Sequence, residues 1–128
     1  MSDIVGTPRK AVIGGITFRV AADSAVKHGK PKYKNEAEPS TGGNFRKMTL
    51  QDEAIESLTL LVNGDELETL KSFAESTDDI TLAVKTAEGA TYSATGFIDF
   101  DSRDASTGKV DVKLIPTDSD GWTYFSAA

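Results

Sequence analysis

Apolar and polar residues alternate with a two-residue period again and again along this chain, which restricts most of it to β-structure with one buried face. Ile80, Leu82 and Val84 alternate with Thr81, Ala83 and Lys85. After a Glu88-Gly89 turn, Tyr92, Ala94, Gly96, Ile98 and Phe100 make a second apolar series. After Thr107-Gly108 come Val110, Val112 and Leu114, stopped at Pro116. Residues 53–62 place Leu58, Leu60 and Val62 on one face, and Trp122 to Phe125 read as a last strand. Residues 10–22 read as a single strand with Gly14-Gly15 at a bulge or close approach. That reading puts Val12, Ile16, Phe18 and Val20 on one face and Ala11, Ile13, Thr17 and Arg19 on the other.

One stretch changes period. Leu67, Leu70, Phe73 and Ala74 recur at helical spacing, predicting a helix over 65–76. Asn63 followed by Glu66 has the form of a capping box, and Asp65, Glu66 and Glu68 suit the positive end of the helix dipole. Seven or eight strands and one helix in 128 residues imply one domain, residues 1–128. The fold class is mostly β: an antiparallel sandwich or barrel with one short flanking helix and a long extended arm.

The arm comes from residues 23–45, which are nearly devoid of large apolar side chains. A segment that long without a core is unusual inside a compact domain unless it serves a function or is disordered. Lys30-Pro31-Lys32-Tyr33-Lys34 has the alternation of extended chain, and Pro39 to Gly43 reads as a turn. The expectation is an arm or long hairpin over 27–45 that returns at Phe45-Arg46-Lys47-Met48-Thr49-Leu50.

Charge divides at about the same place. Residues 1–50 carry nine Lys/Arg and four Asp/Glu, whereas residues 51–128 carry five and sixteen. This asymmetry suits head-to-tail contact between identical subunits, basic part against acidic part. The alternative is that the two blocks fold together and cancel locally.

Catalytic and metal chemistry find little to work with. The chain has no Cys, which removes disulfides, thiolate sites and Cys nucleophiles and fits a reducing compartment. The single His, His28, lies on the arm, a poor scaffold for a triad, and reads as a solvated or interface residue. Asp99, Asp101 and Asp104 lack the glycine and distal glutamate of a calcium loop; they read as turn residues, as do Asp118 and Asp120. No glycine pattern matches a phosphate-binding loop. The expectation is a chain that is not an enzyme and needs no cofactor or metal. Lys27, Lys30, Lys32 and Lys34 around Tyr33 could contact phosphates and stack a base, but Glu36 and Glu38 follow at once and the net charge is −6. The N-terminus lacks the form of a signal peptide and no apolar run reaches membrane length, so a soluble chain without a membrane anchor is expected.

The order of elements carries a resemblance. A first strand Gly15-Ile16-Thr17-Phe18-Arg19-Val20-Ala21, a Lys-rich arm, an acidic strand and a short helix come first. Tyr92-Ser93-Ala94-Thr95-Gly96-Phe97-Ile98 and Gly108-Lys109-Val110-Asp111-Val112-Lys113-Leu114 follow. Over essentially the whole chain this resembles the tail tube proteins of contractile-tailed bacteriophages, similar in fold to the haemolysin-coregulated protein of type VI secretion. The resemblance implies six-fold rings that stack into a hollow tube conducting DNA during infection. It places the chain in a virion tail assembled in the host cytoplasm. Its partners would be copies of itself, then sheath, baseplate and tail-terminator proteins, with DNA as transient cargo. It gives the arm an intersubunit or inter-ring role, with Lys27, His28, Lys30, Lys32, Tyr33, Lys34, Glu36, Phe45 and Arg46 as the contact residues. Glu53, Glu56 and Glu88 become candidates for an acidic lumen wall or complementary surface, since carboxylates repel passing phosphate. The alternatives are a type VI secretion-type tube ring and a nucleic-acid binding module using the Lys27–Lys34 arm.

Overall fold

In a computed structural model describing residues 5–126, nine strands and one helix are assigned among the described residues. They are β1 (Lys10–Ile13), β2 (Ile16–Val20), β3 (Tyr33–Ser40), β4 (Gly43–Leu50) and β5 (Ile55–Leu61), then α1 (Gly64–Glu75), β6 (Ile80–Lys85), β7 (Thr91–Phe100), β8 (Lys109–Pro116) and β9 (Thr123–Phe125). Six of the strands close on themselves. The order β6-β1-β2-β5-β8-β7 is completed by β6–β7 pairing, every pair is antiparallel, and β9 adds to β7. Closure removes the open edges that a sheet of this size otherwise presents. The expected mostly β, antiparallel barrel with one short helix is what the chain forms.

The barrel interior is filled by the alternating residues of each strand. Phe18, Ile13, Ile55, Leu58, Leu60, Leu82, Val84, Val110, Val112 and Leu114 are fully buried. Helix α1 packs on the barrel core and buries Leu70, with Leu67, Phe73 and Ala74 against the same core. Its start follows the local sequence: Asn63 Oδ1 accepts the Glu66 N–H at 2.9 Å and a Glu66 carboxylate oxygen accepts the Asn63 N–H at 3.0 Å. The same Glu66 oxygen receives Arg19 Nη2 at 2.8 Å, tying the helix to β2.

Three expectations are corrected. Residues 10–22 form two strands. Gly14 and Gly15 both have positive φ, 60° and 83°, the backbone of a two-residue hairpin turn that side chains disfavour. The reversal pairs Ile13 with Ile16 and Ala11 with Phe18. Ala11, Ile13 and Phe18 therefore share the buried face, while Val12 lies on the other. The arm, expected over 27–45 with its return through Phe45 to Leu50, pairs as Tyr33–Ser40 with Gly43–Leu50, so its start is later than expected. Finally, Trp122 precedes β9 and donates its indole N–H to the Glu53 carbonyl at 2.6 Å.

Candidate functional site

The β3–β4 hairpin is a sheet of its own, and every residue of both strands is exposed. At about 3.4 Å per residue, eight residues a side make an arm about 27 Å long. Its register runs from Tyr33 opposite Leu50 to Ser40 opposite Gly43. Residues directly opposite share a face, so the pairs Tyr33–Leu50, Asn35–Met48, Ala37–Arg46 and Pro39–Asn44 line one side. That side is largely apolar. The other side carries Lys34–Thr49, Glu36–Lys47, Glu38–Phe45 and Ser40–Gly43, with four charged side chains and Phe45 as its one aromatic ring. Tyr33, Phe45, Met48 and Leu50 are 41%, 70%, 49% and 65% exposed.

A two-stranded hairpin is marginal in water by itself, and this one is held mainly at its root. The Gln51 N–H bonds the Lys32 carbonyl at 3.0 Å, and the Gln51 side chain reaches the Pro31 carbonyl at 2.7 Å. Lys30 pairs with Asp52 at 3.1 Å, and Lys113 approaches the other Asp52 oxygen at 3.5 Å. The Lys30 hydrogen bond, with the charge of Lys113, holds the Asp52 carboxyl below its ordinary range. Asp52 in turn, helped by Glu56, raises the Lys113 ammonium.

The residues expected on the arm divide into two groups. Tyr33, Lys34, Glu36, Phe45 and Arg46 stand on the hairpin: Lys34 pairs with Glu36 at 3.1 Å and Arg46 Nε donates to Asn35 at 2.9 Å. Lys27, His28, Lys30 and Lys32 precede it and follow the barrel. Lys27 exchanges two backbone hydrogen bonds of 3.0 Å with Glu56, and the Lys32 ammonium donates to the Ser119 carbonyl at 3.1 Å. His28 packs its ring on Tyr92 with centroids 4.9 Å apart, and Tyr92 meets Tyr124 at 5.1 Å. Burial pushes the Tyr92 phenol up, with Tyr124 and Glu88 adding to the shift.

The three candidate acids stand on different elements. Glu53 lies just before β5, half-buried, with its carboxylate against the backbone of Gly121: a methyl there would sit 2.0 Å from Oε2. Glu56 is on β5 and has Lys113 at 3.6 Å. Glu88 is in the turn between β6 and β7. Met48 and Leu50 were not among the expected contact residues, although their two-residue spacing after the turn was a usable signal.

No group of three or more potential metal ligands occurs among the described residues. Asp104 behaves as a turn residue, accepting the Ser106 N–H at 2.9 Å and hydroxyl at 2.7 Å. No helix among the described residues is long and apolar enough to cross a membrane. Compared with protein-family models and with curated proteins, the chain matches none.

Proposed function

We propose that this chain is a structural subunit that assembles with copies of itself through the β3–β4 hairpin, and that the assembly is a tail tube of the phage type. One observation carries the assembly reading: a closed barrel extends a wholly exposed hairpin bearing Tyr33, Phe45, Met48 and Leu50. Burying such a side chain completely contributes about 1.5–3 kcal/mol, so covering four that are already partly shielded contributes of the order of 4 kcal/mol per hairpin. An isolated hairpin gains nothing from that surface; a neighbouring subunit supplies the missing side.

The tube form rests on the resemblance in element order, which the closed barrel, single helix and projecting hairpin support. In that reading six subunits form a ring, rings stack around a lumen that conducts DNA, and sheath, baseplate and terminator proteins complete a virion tail. A type VI secretion ring would have the same subunit chemistry. The nucleic-acid module is less favoured, because Lys30, Lys32 and Lys34 each have an acceptor within the chain and those contacts compete with phosphate.

The test is electron microscopy of the purified protein at rising concentration and with tail partners, beside the Met48→Asp, Leu50→Asp double variant. Rings or tubes of uniform bore are expected from the unaltered protein and none from the variant, with equal thermal melting of both monomers. A protein that stays monomeric under all these conditions refutes the proposal.

A further inference from the structure

The hairpin needs a receiving surface, and the barrel carries one suited to it. Between α1 and the loop after β7 lies an open groove of about 680 Å³ lined by Leu67, Ala74, Phe100 and Ala105, with Lys71 and Arg103 as its cations. Asp101 and Glu75 are its anions, and Ser102 completes the lining. Arg103 is half-buried, and its Nε is a buried donor that finds no acceptor within the chain. A buried donor left in this state is costly, and a carboxylate entering the groove would draw the guanidinium into a charge-assisted pair.

We infer that this groove receives the Phe45 face of the hairpin of a second copy of this chain, with Glu38 of that copy meeting Arg103. The inference rests on the assembly reading above. Three features support the match. Phe45 is the one large apolar side chain on its face of the hairpin and the most exposed residue of the arm's four, and the groove offers an apolar floor. Glu38 sits directly opposite Phe45 in the register, so their Cβ atoms lie about 5 Å apart and both enter one site together. The next pair along that face is Glu36 opposite Lys47, which presents both signs of charge to a rim that also carries both.

Placement bears on the kind of assembly this contact makes. The hairpin leaves the chain just before β5 begins, and α1 starts just after β5 ends. Donor and acceptor therefore lie towards opposite ends of that strand. When each hairpin enters a different neighbour the contact is heterologous, and it closes into a ring or extends into a filament; a two-fold dimer forms through it only if two copies exchange hairpins reciprocally.

Because the chain has no native Cys, thiol cross-linking has no background. Phe45→Cys and Ala105→Cys, both at exposed positions, are mixed under assembling conditions and treated with a short bismaleimide. A covalent pair between the two variants is expected, and none when Phe45→Cys is mixed with Thr81→Cys on the wall of β6. Charge exchange gives the second arm: Glu38→Arg and Arg103→Glu should each raise the concentration needed for assembly at least about tenfold, and the combined variant should restore most of it. Assemblies that form without the 45–105 cross-link and without charge rescue overturn the groove assignment and leave the hairpin reading standing. An unaltered protein that never assembles overturns both.

Discussion

Removing the whole hairpin should leave the barrel folded and abolish assembly. The cut is defined by the root: the Gln51 N–H already bonds the Lys32 carbonyl at 3.0 Å, so Tyr33–Leu50 can be replaced by Asn-Gly, a two-residue turn that accepts this geometry. None of the deleted residues belongs to the core. Lys30–Asp52 and Lys32–Ser119, which fix the flanking chain, are retained. Shortening the connection about ninefold lowers its closure entropy, which contributes up to about 2 kcal/mol in favour of folding. Loss of the hairpin's own pairing offsets little, since such a unit is marginal alone. For a domain of this size the melting temperature should stay the same or rise by up to about 10 °C. Differential scanning calorimetry reads the melt and sedimentation velocity reads the assembly. A fall of more than about 10 °C, or loss of a cooperative transition, would show that the hairpin supports the barrel and would refute the reasoning.

Leu70→Ala should cost about 2–5 kcal/mol in urea unfolding because the side chain is fully buried beneath the helix, whereas Asn63→Ala, which removes only the cap, should cost about 0.5–2 kcal/mol. Gly96→Ala places a methyl 2.0 Å from the Ile115 carbonyl oxygen and 2.9 Å from Pro116 Cα; the backbone must move, and a loss of about 2–3 kcal/mol is expected by the same measurement. Asp23, Asp52, Glu66 and Asp104 all have lowered carboxyl pKa values, caused first by Lys109, Lys30, the Asn63 N–H and Ser106 respectively. Groups of this sign contribute fully above the unfolded value of about 4 and lose their contribution as pH falls through the folded value. The urea midpoint should therefore be flat from about pH 7 to 5 and fall below about pH 4, less steeply in Asp52→Asn; identical acid limbs for the two proteins would contradict the Asp52 assignment.

Much of the fold was legible because its signals are local. The two-residue period of Leu58-Leu60-Val62 or Val110-Val112-Leu114 is a property of each strand alone, and the Asn63–Glu66 cap needs only four consecutive residues. Gly14-Gly15 shows the limit of such reading. Whether two glycines bulge a strand or reverse it changes which residues face the core, because a one-residue change of phase exchanges the faces; pairing with β6 and β5 is compatible with the hairpin.

Local patterns in the chain specify the fold class, the helix with its cap, and a long segment that no core could hold. What that segment is emerges from its pairing in three dimensions. Pairing of Tyr33 with Leu50 and of Glu38 with Phe45 sorts its side chains into an apolar face and a charged one, and a strand's faces follow from its register with a partner. Barrel closure through β6–β7, the packing of Glu53 on Gly121, and the groove between α1 and the loop after β7 join residues distant in sequence. Long-range contacts of that kind depend on how the whole chain folds, and no local pattern encodes them.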